Sequence, residues 1–154
     1  MTPPAPTLRR ATLADAQTIA EIHLAARRAA MPWLPEVHTD AETHFWVANV
    51  MLPQQEVWVA EVAGAVGGFA ALHEGWLEHL YIAPAHQGIG LGSALLDLAM
   101  ERSPEGLQLY AFQGNTRARQ FYEARGFVAE AFGDGADNEE GAPDVRFRWP
   151  GRAT

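Results

Sequence analysis

Between Leu80 and Leu96 the chain reads Leu-Tyr-Ile-Ala-Pro-Ala-His-Gln-Gly-Ile-Gly-Leu-Gly-Ser-Ala-Leu-Leu. An apolar strand, ended by Ala83-Pro84, runs into a loop with Gly88, Gly90 and Gly92. The loop opens a helix with Leu91, Ala94, Leu95, Leu98 and Ala99 on one face. The first N–H groups of a helix have no partner inside it, and the helix dipole makes that end positive. Glycines let a ligand reach the backbone without meeting a Cβ. The unit is therefore a phosphate cradle. A P-loop needs Lys-Ser/Thr after its last glycine, and Gly92 is followed by Ser93-Ala94. A dinucleotide fingerprint needs G-x-G-x-x-G on the first strand of a parallel unit, and this spacing follows several strands that read as antiparallel. Taken alone, the glycines also suit a tight turn.

Composition narrows the possibilities further. The 154 residues are 48% hydrophobic, with 5 Trp and 7 Phe, enough for one domain with a real core. There is no Cys, which excludes disulfides, thiolate metal sites and a Cys nucleophile. The net charge is −8, and all 11 basic residues are Arg. Such a surface is a poor general binder of nucleic acid. No apolar run approaches the roughly 20 residues of a membrane span. The start, Met1-Thr-Pro-Pro-Ala-Pro, lacks the regions of a signal peptide, so a cytoplasmic protein is expected. The expected organisation is a flexible lead at 1–6, one domain at 7–149 and a tail at 150–154.

Periodicity supplies the element order. A strand is expected over Thr7 to Ala11, then a helix from a capping box at Thr12 and Asp15 to about Arg28. Met31-Pro-Trp-Leu-Pro35 interrupts it. Thr39 and Glu42 repeat the capping pattern before a second helix reaching about Met51. Strands follow at Glu56 to Glu61, Val66 to His73 and Trp76 to Ile82, the first two forming a hairpin. After the glycine helix come a strand at Leu107 to Phe112, a helix after Asn115 ended by Gly126, and strands at Phe127 to Phe132 and Val145 to Trp149. The Gly- and acid-rich residues 133–143 are expected to form a mobile loop. An edge strand near the C-terminus offers a surface for homodimer pairing.

The glycine segment resembles motif A of the GNAT N-acetyltransferase superfamily, whose pattern is Q/R-x-x-G-x-G/A. Here it reads Gln87-Gly-Ile-Gly90-Leu-Gly92. Asn115-Thr-Arg-Ala118 and Phe121-Tyr-Glu-Ala-Arg-Gly-Phe127 resemble the family's next landmark, and the resemblance covers about residues 7–149. It implies an α+β fold with a mixed, mostly antiparallel sheet of six to seven strands. About four helices would flank the sheet, and a central strand pair would splay apart. It implies acetyl-CoA or another acyl-CoA as co-substrate. The pyrophosphate would rest on the backbone of Gln87, Gly88, Ile89, Gly90, Leu91, Gly92 and Ser93. The pantetheine arm would pair with the main chain of Leu80, Tyr81 and Ile82, and Asn115 would hydrogen-bond it. The family often places a basic residue between the glutamine and the glycines, where this chain has Gly88 and Ile89. Arg119, with Arg117 and Arg125, compensates if its helix lies alongside the cofactor; otherwise these arginines form a solvated face.

The implied reaction is attack of a neutral amine on a thioester. Tyr122 stands at the family's general-acid position, seven residues or about two helical turns after Asn115. The freed N–H of Leu80 would face the oxyanion. Glu78 is the favoured base because it alternates in phase with Leu80 and Ile82. His79, pointing the other way, and His73 with Glu74 are alternatives, as is water. No metal is expected, since His38 and His44 lack the spacing of a helical ligand pair. The acceptor, a small-molecule or peptide amine, would bind among Met31 to His38, the second helix and the acidic loop. Trp33, Trp46 and Trp76 are candidates for its walls. Glu130, Asp134, Asp137, Glu139, Glu140 and Asp144 would favour a cationic amine if they face the cleft. Two other readings stay open: a non-catalytic acyl-CoA-binding or regulatory module of the same fold, and a nucleotide-binding domain using the same cradle.

Overall fold

In the computed structural model, which describes residues 5–152, the alternating segments form one seven-stranded sheet. The strands are β1 (Thr7–Arg10), β2 (Glu56–Val62), β3 (Ala65–His73), β4 (Trp76–Ile82), β5 (Leu107–Phe112), β6 (Val128–Gly133) and β7 (Asp144–Trp149). Their order is β1-β2-β3-β4-β5-β7-β6. Neighbours are antiparallel except β4 and β5, which run parallel. The expected lead and tail lie partly outside the described residues.

Helices cover both faces. On one, α1 (Ala16–Ala30) packs beside α2 (Asp40–Trp46), which continues through a π-helical stretch, Val47–Met51, into α3 (Leu52–Gln54). Ile19, Ile22, Val47 and Met51 close over Val57, Val59 and Phe69. On the other, α4 (Leu91–Glu101) and α5 (Thr116–Ala124) bring Leu91, Leu95, Leu96 and Tyr122 against Leu107, Leu109, Val145 and Phe147. Each buried Leu, Ile or Val contributes about 1.5–3 kcal/mol. The α2 start carries both bonds of its capping box: Glu42 N–H to Thr39 Oγ1 at 3.1 Å, and Thr39 N–H to Glu42 Oε1 at 2.9 Å.

Two register features shape the centre of the sheet. Leu72 pairs with Leu77 while Ala71 pairs with His79, so Glu78 is the extra residue of a bulge. The phase expected for Glu78 is therefore broken, and Leu77 joins Leu80 and Ile82 in packing against α4 and α5. Between β4 and β5 the register holds one pair, Trp76 and Gln108. Beyond it the strands part. The acidic loop, expected to be mobile, is folded on itself: Asn138 Nδ2 donates to Ala142 O at 2.7 Å and Gln113 Nε2 to Gly133 O at 2.9 Å.

Asp15 ties α1 to the sheet edge. Its carboxylate accepts from Arg9 at 2.8 and 2.9 Å and from the Thr12 N–H at 2.8 Å. The Arg9 hydrogen bonds hold its pKa below the usual carboxylate range despite burial, which pushes the other way. This stabilisation is complete above the ordinary carboxylate pKa and fades as pH falls through the lower folded value. Asp15→Asn should lower unfolding stability by about 1–2 kcal/mol at pH 7. The deficit should shrink toward pH 3; denaturant titrations showing the same deficit at both pH values would contradict this.

Candidate active site

The cradle forms at the start of α4. Gly88 and Gly90 have φ of +81° and +90°, conformations that L side chains rarely adopt. A Cβ at either would meet nothing within 4 Å, so the backbone here faces open space. Gly90 is the N-cap, without a side-chain cap, and the first capped N–H is that of Ala94, which donates to Gly90 O. The N–H groups of Leu91, Gly92 and Ser93 thus lack a helical partner and point out of the helix end. Gly92 is already in the first turn, and a Cβ there would lie 3.7 Å from Phe121 and 3.8 Å from Ile82. Gln87 Nε2 donates to Ile82 O at 3.3 Å, tying the loop to the end of β4. These residues suit a diphosphate.

The fork between β4 and β5 lies next to this cradle. Leu80 and Ile82 lie beyond the last β4–β5 pair and turn their main-chain groups toward the fork, whereas the Tyr81 main chain, in register with Phe69, faces β3 and cannot make the contact expected of it. Asn115 caps α5, its Oδ1 accepting from the Ala118 N–H at 3.3 Å. Its NH₂ makes no hydrogen bond among the described residues, so one half of the amide serves the helix and the other is available. Two of the three helix arginines have protein partners. Arg125 bonds Asp97 of α4. Arg119 donates to Gln113 O at 3.1 Å and lies over the Phe132 ring. Arg117 is exposed.

Tyr122 is 9% exposed, ringed by Phe121, Phe127 and Phe147 at 5.3–6.3 Å between centroids. Burial, with Tyr81 nearby, pushes its pKa well up. It therefore keeps its proton, and its hydroxyl is hydrogen-bonded to no protein group among the described residues. Glu78 is exposed two residues past the last β4–β5 pair. His73 and Glu74, also exposed, lie 3.6 Å apart at the β3–β4 turn.

A cavity of about 470 Å³ opens on the opposite face of the sheet, between α1, the 31–39 segment, α2 and His79. Glu139 lines it, and so does Trp46. Trp33 and Trp76 do not: Trp33 packs edge-on to Phe112, and Trp76 stacks on Tyr110. Of the other acids, Asp137, Glu140 and Asp144 line a separate hollow beside Tyr110 and Phe112. Asp134 caps the Ala136 N–H, and Glu130 faces Arg146 at 3.7 Å.

Two cavity residues escaped the sequence reading, His23 and Arg27. Their spacing of four puts them on one row of α1, flanking the buried Ile19, Ile22 and Ala26. The His23 ring lies 5.5 Å from His79 and 5.0 Å from Tyr81. Burial, then His79 and Arg27, lowers His23 to about 3; burial, then Arg27, lowers His79 to about 4. Both are neutral at pH 7.

Two outcomes follow from this geometry. The unfolded chain protonates these histidines below about pH 6.5, while the folded chain resists until about 4 and about 3. Stability should therefore fall as pH drops from 6.5 toward 4, and His79→Gln should make that slope shallower; an equal slope would count against the burial argument. Gly90→Val should abolish the rise in melting temperature caused by CoA. Gly92→Ala, whose methyl group meets ordinary contacts, should fold normally. A normal CoA response in Gly90→Val would remove the cradle.

Comparison with known proteins agrees with this arrangement. A family model for the acetyltransferase (GNAT) domain matches residues 53–129, from α3 through the cradle and α5 into β6. The peptidyl-lysine N-acetyltransferase YiaC of Escherichia coli (strain K12) is 31% identical over 117 residues, 66% of this chain and 80% of its own. The solution structure of apo YjaB from Escherichia coli superposes with a TM-score of 0.79 at 23% identity, over 97% of this chain and 100% of that one. The yncA structure from Salmonella typhimurium, solved with acetyl-CoA, gives a TM-score of 0.74 at 20% identity, over 98% and 96%. With the glycine cradle and parted strands in place, the chain belongs to the GNAT family and is an acetyl-CoA-dependent N-acetyltransferase.

Proposed function

We propose that the chain moves an acetyl group from acetyl-CoA directly to a primary amine while both substrates are bound. The observation that carries this reading is the fork between β4 and β5, which has the cradle on one side and the 470 Å³ cavity on the other. The amides at 88–93 hold the diphosphate, and the open main-chain groups of Leu80 and Ile82 hydrogen-bond the amide-rich arm, with Asn115 NH₂ as a further donor. The amine enters from the cavity. No Cys is available to carry the acetyl group, which supports direct attack.

In that attack the amine nitrogen bonds to the thioester carbon and the carbon–sulfur bond breaks. Tyr122 gives its proton to the departing sulfur; burial has kept that proton in place. The Leu80 N–H faces the developing oxyanion. Glu78, at the mouth of the fork, takes the proton that the amine loses, through water if needed. A second base is favoured by one specific observation: His79 lines the cavity and is neutral at pH 7, so it can accept a hydrogen bond from the amine.

Release of free CoA, followed with a thiol reagent across an amine panel, tests transfer. The chain itself carries no Cys to react and no Lys to accept acetyl groups. Tyr122→Phe should lower kcat about 10²–10⁴-fold with little change in KM for acetyl-CoA. Wild-type turnover would remove its acid role, and intact CoA binding with no acceptor would favour the non-catalytic module. Glu78→Gln should lower kcat at least about 100-fold with KM for acetyl-CoA unchanged. Unaltered turnover would shift the role to His79 or water.

A further inference from the structure

The acceptor cavity differs from what the acidic composition suggests. Most of its charged groups are already satisfied. Arg28 bonds Glu36 at 2.5 Å and Asp40 at 2.6 Å. His38 bonds Glu139 at 2.9 Å. Glu42 is engaged by its own helix cap. The two inner histidines are neutral at pH 7. Arg27 is the exception. It lines the cavity, is partly buried, and has no carboxylate within 4.0 Å among the described residues. Its one side-chain hydrogen bond there is Nη1 to Tyr81 Oη at 3.4 Å, a long contact with a neutral group. Glu140 senses Arg27 without an ion pair to it, and its own burial favours the uncharged form.

A half-buried guanidinium presents a planar fork of donors that matches a carboxylate, and leaving such a charge unpaired is costly. We infer that the acceptor is a small amine that also carries a carboxylate, of the amino-acid type, and that Arg27 binds that carboxylate. The inference rests on the cavity being the acceptor site. Its position fits: Tyr81 links Arg27 to the β4 edge where the thioester would lie, so an amine a few bonds from an Arg27-bound carboxylate can reach the fork. A volume near 470 Å³ suits a small molecule. The acids around the rim, being paired, would not select a polycation.

The test uses matched sets of each amino acid, its carboxamide and its decarboxylated amine. In wild-type enzyme, kcat/KM for the acid should exceed that for the amide at least tenfold. Arg27→Gln should remove most of that preference by lowering the value for the acid, leaving KM for acetyl-CoA unchanged, and Arg27→Lys should restore part of it. Calorimetry of the corresponding N-acetyl acids and N-acetyl amides on the CoA-saturated wild-type protein reads the anchor without turnover and without any variant. Equal binding of acid and amide there would overturn the proposal, as would an amine or peptide lysine acetylated better than every acid. Acid-selective binding with no acetyl transfer to any amine would support the anchor while overturning the transfer reading above.

Discussion

The parting of β4 from β5 after a single pair is the constraint on which the rest of the molecule depends. A parallel pair in mid-sheet would ordinarily continue its ladder, because unpaired backbone groups are costly once water is excluded. Here the strands share Trp76 and Gln108 and then diverge. On one side, α4 starts with three unpartnered N–H groups. On the other, α1 and α2 leave a cavity to which β4 contributes His79. The fork is the place where these two surfaces meet.

Several devices hold the fork open. The Glu78 bulge resets the phase of β4, so that Leu77, Leu80 and Ile82 pack under α4 and α5 while His79 and Tyr81 face α1. Arg125 and Asp97 join α4 and α5 on one face of the sheet. Arg9 and Asp15 anchor the start of α1 on the other. The polar groups within are kept uncharged by burial: Tyr122 retains its proton, and His23 and His79 decline one. On the α1 side, the cavity keeps one cation, Arg27, without a carboxylate partner among the described residues.

Much of the fold was legible because it depends on local chemistry. The strands Trp76–Ile82 and Leu107–Phe112 stand where alternation and flanking glycines put them, and Thr39 with Glu42 forms the capping box its spacing announced. The glycine motif announced the cradle because a positive φ selects residue type directly. The bulge at Glu78 was not legible, since it is a property of the β3 partner as much as of β4. The alternation argument for Glu78 failed for that reason. The acidic loop misled through composition: its charge count does not reveal that Glu139 pairs with His38 or that Asn138 folds the loop on itself. Arg27 was hidden because a charged residue beside an apolar stripe reads as solvent-facing until the neighbouring helix is placed.

The central claim is that the amides at 88–93 and the open edge of β4 together grip the thioester carrier. Amide chemical shifts during a CoA titration of ¹⁵N-labelled protein test it most directly. The account predicts that the largest changes fall on Gly88, Gly90, Gly92 and Ser93, with Leu80 and Ile82 moving at the same CoA concentration. Saturable shifts clustered elsewhere, with these six amides unmoved, would contradict it.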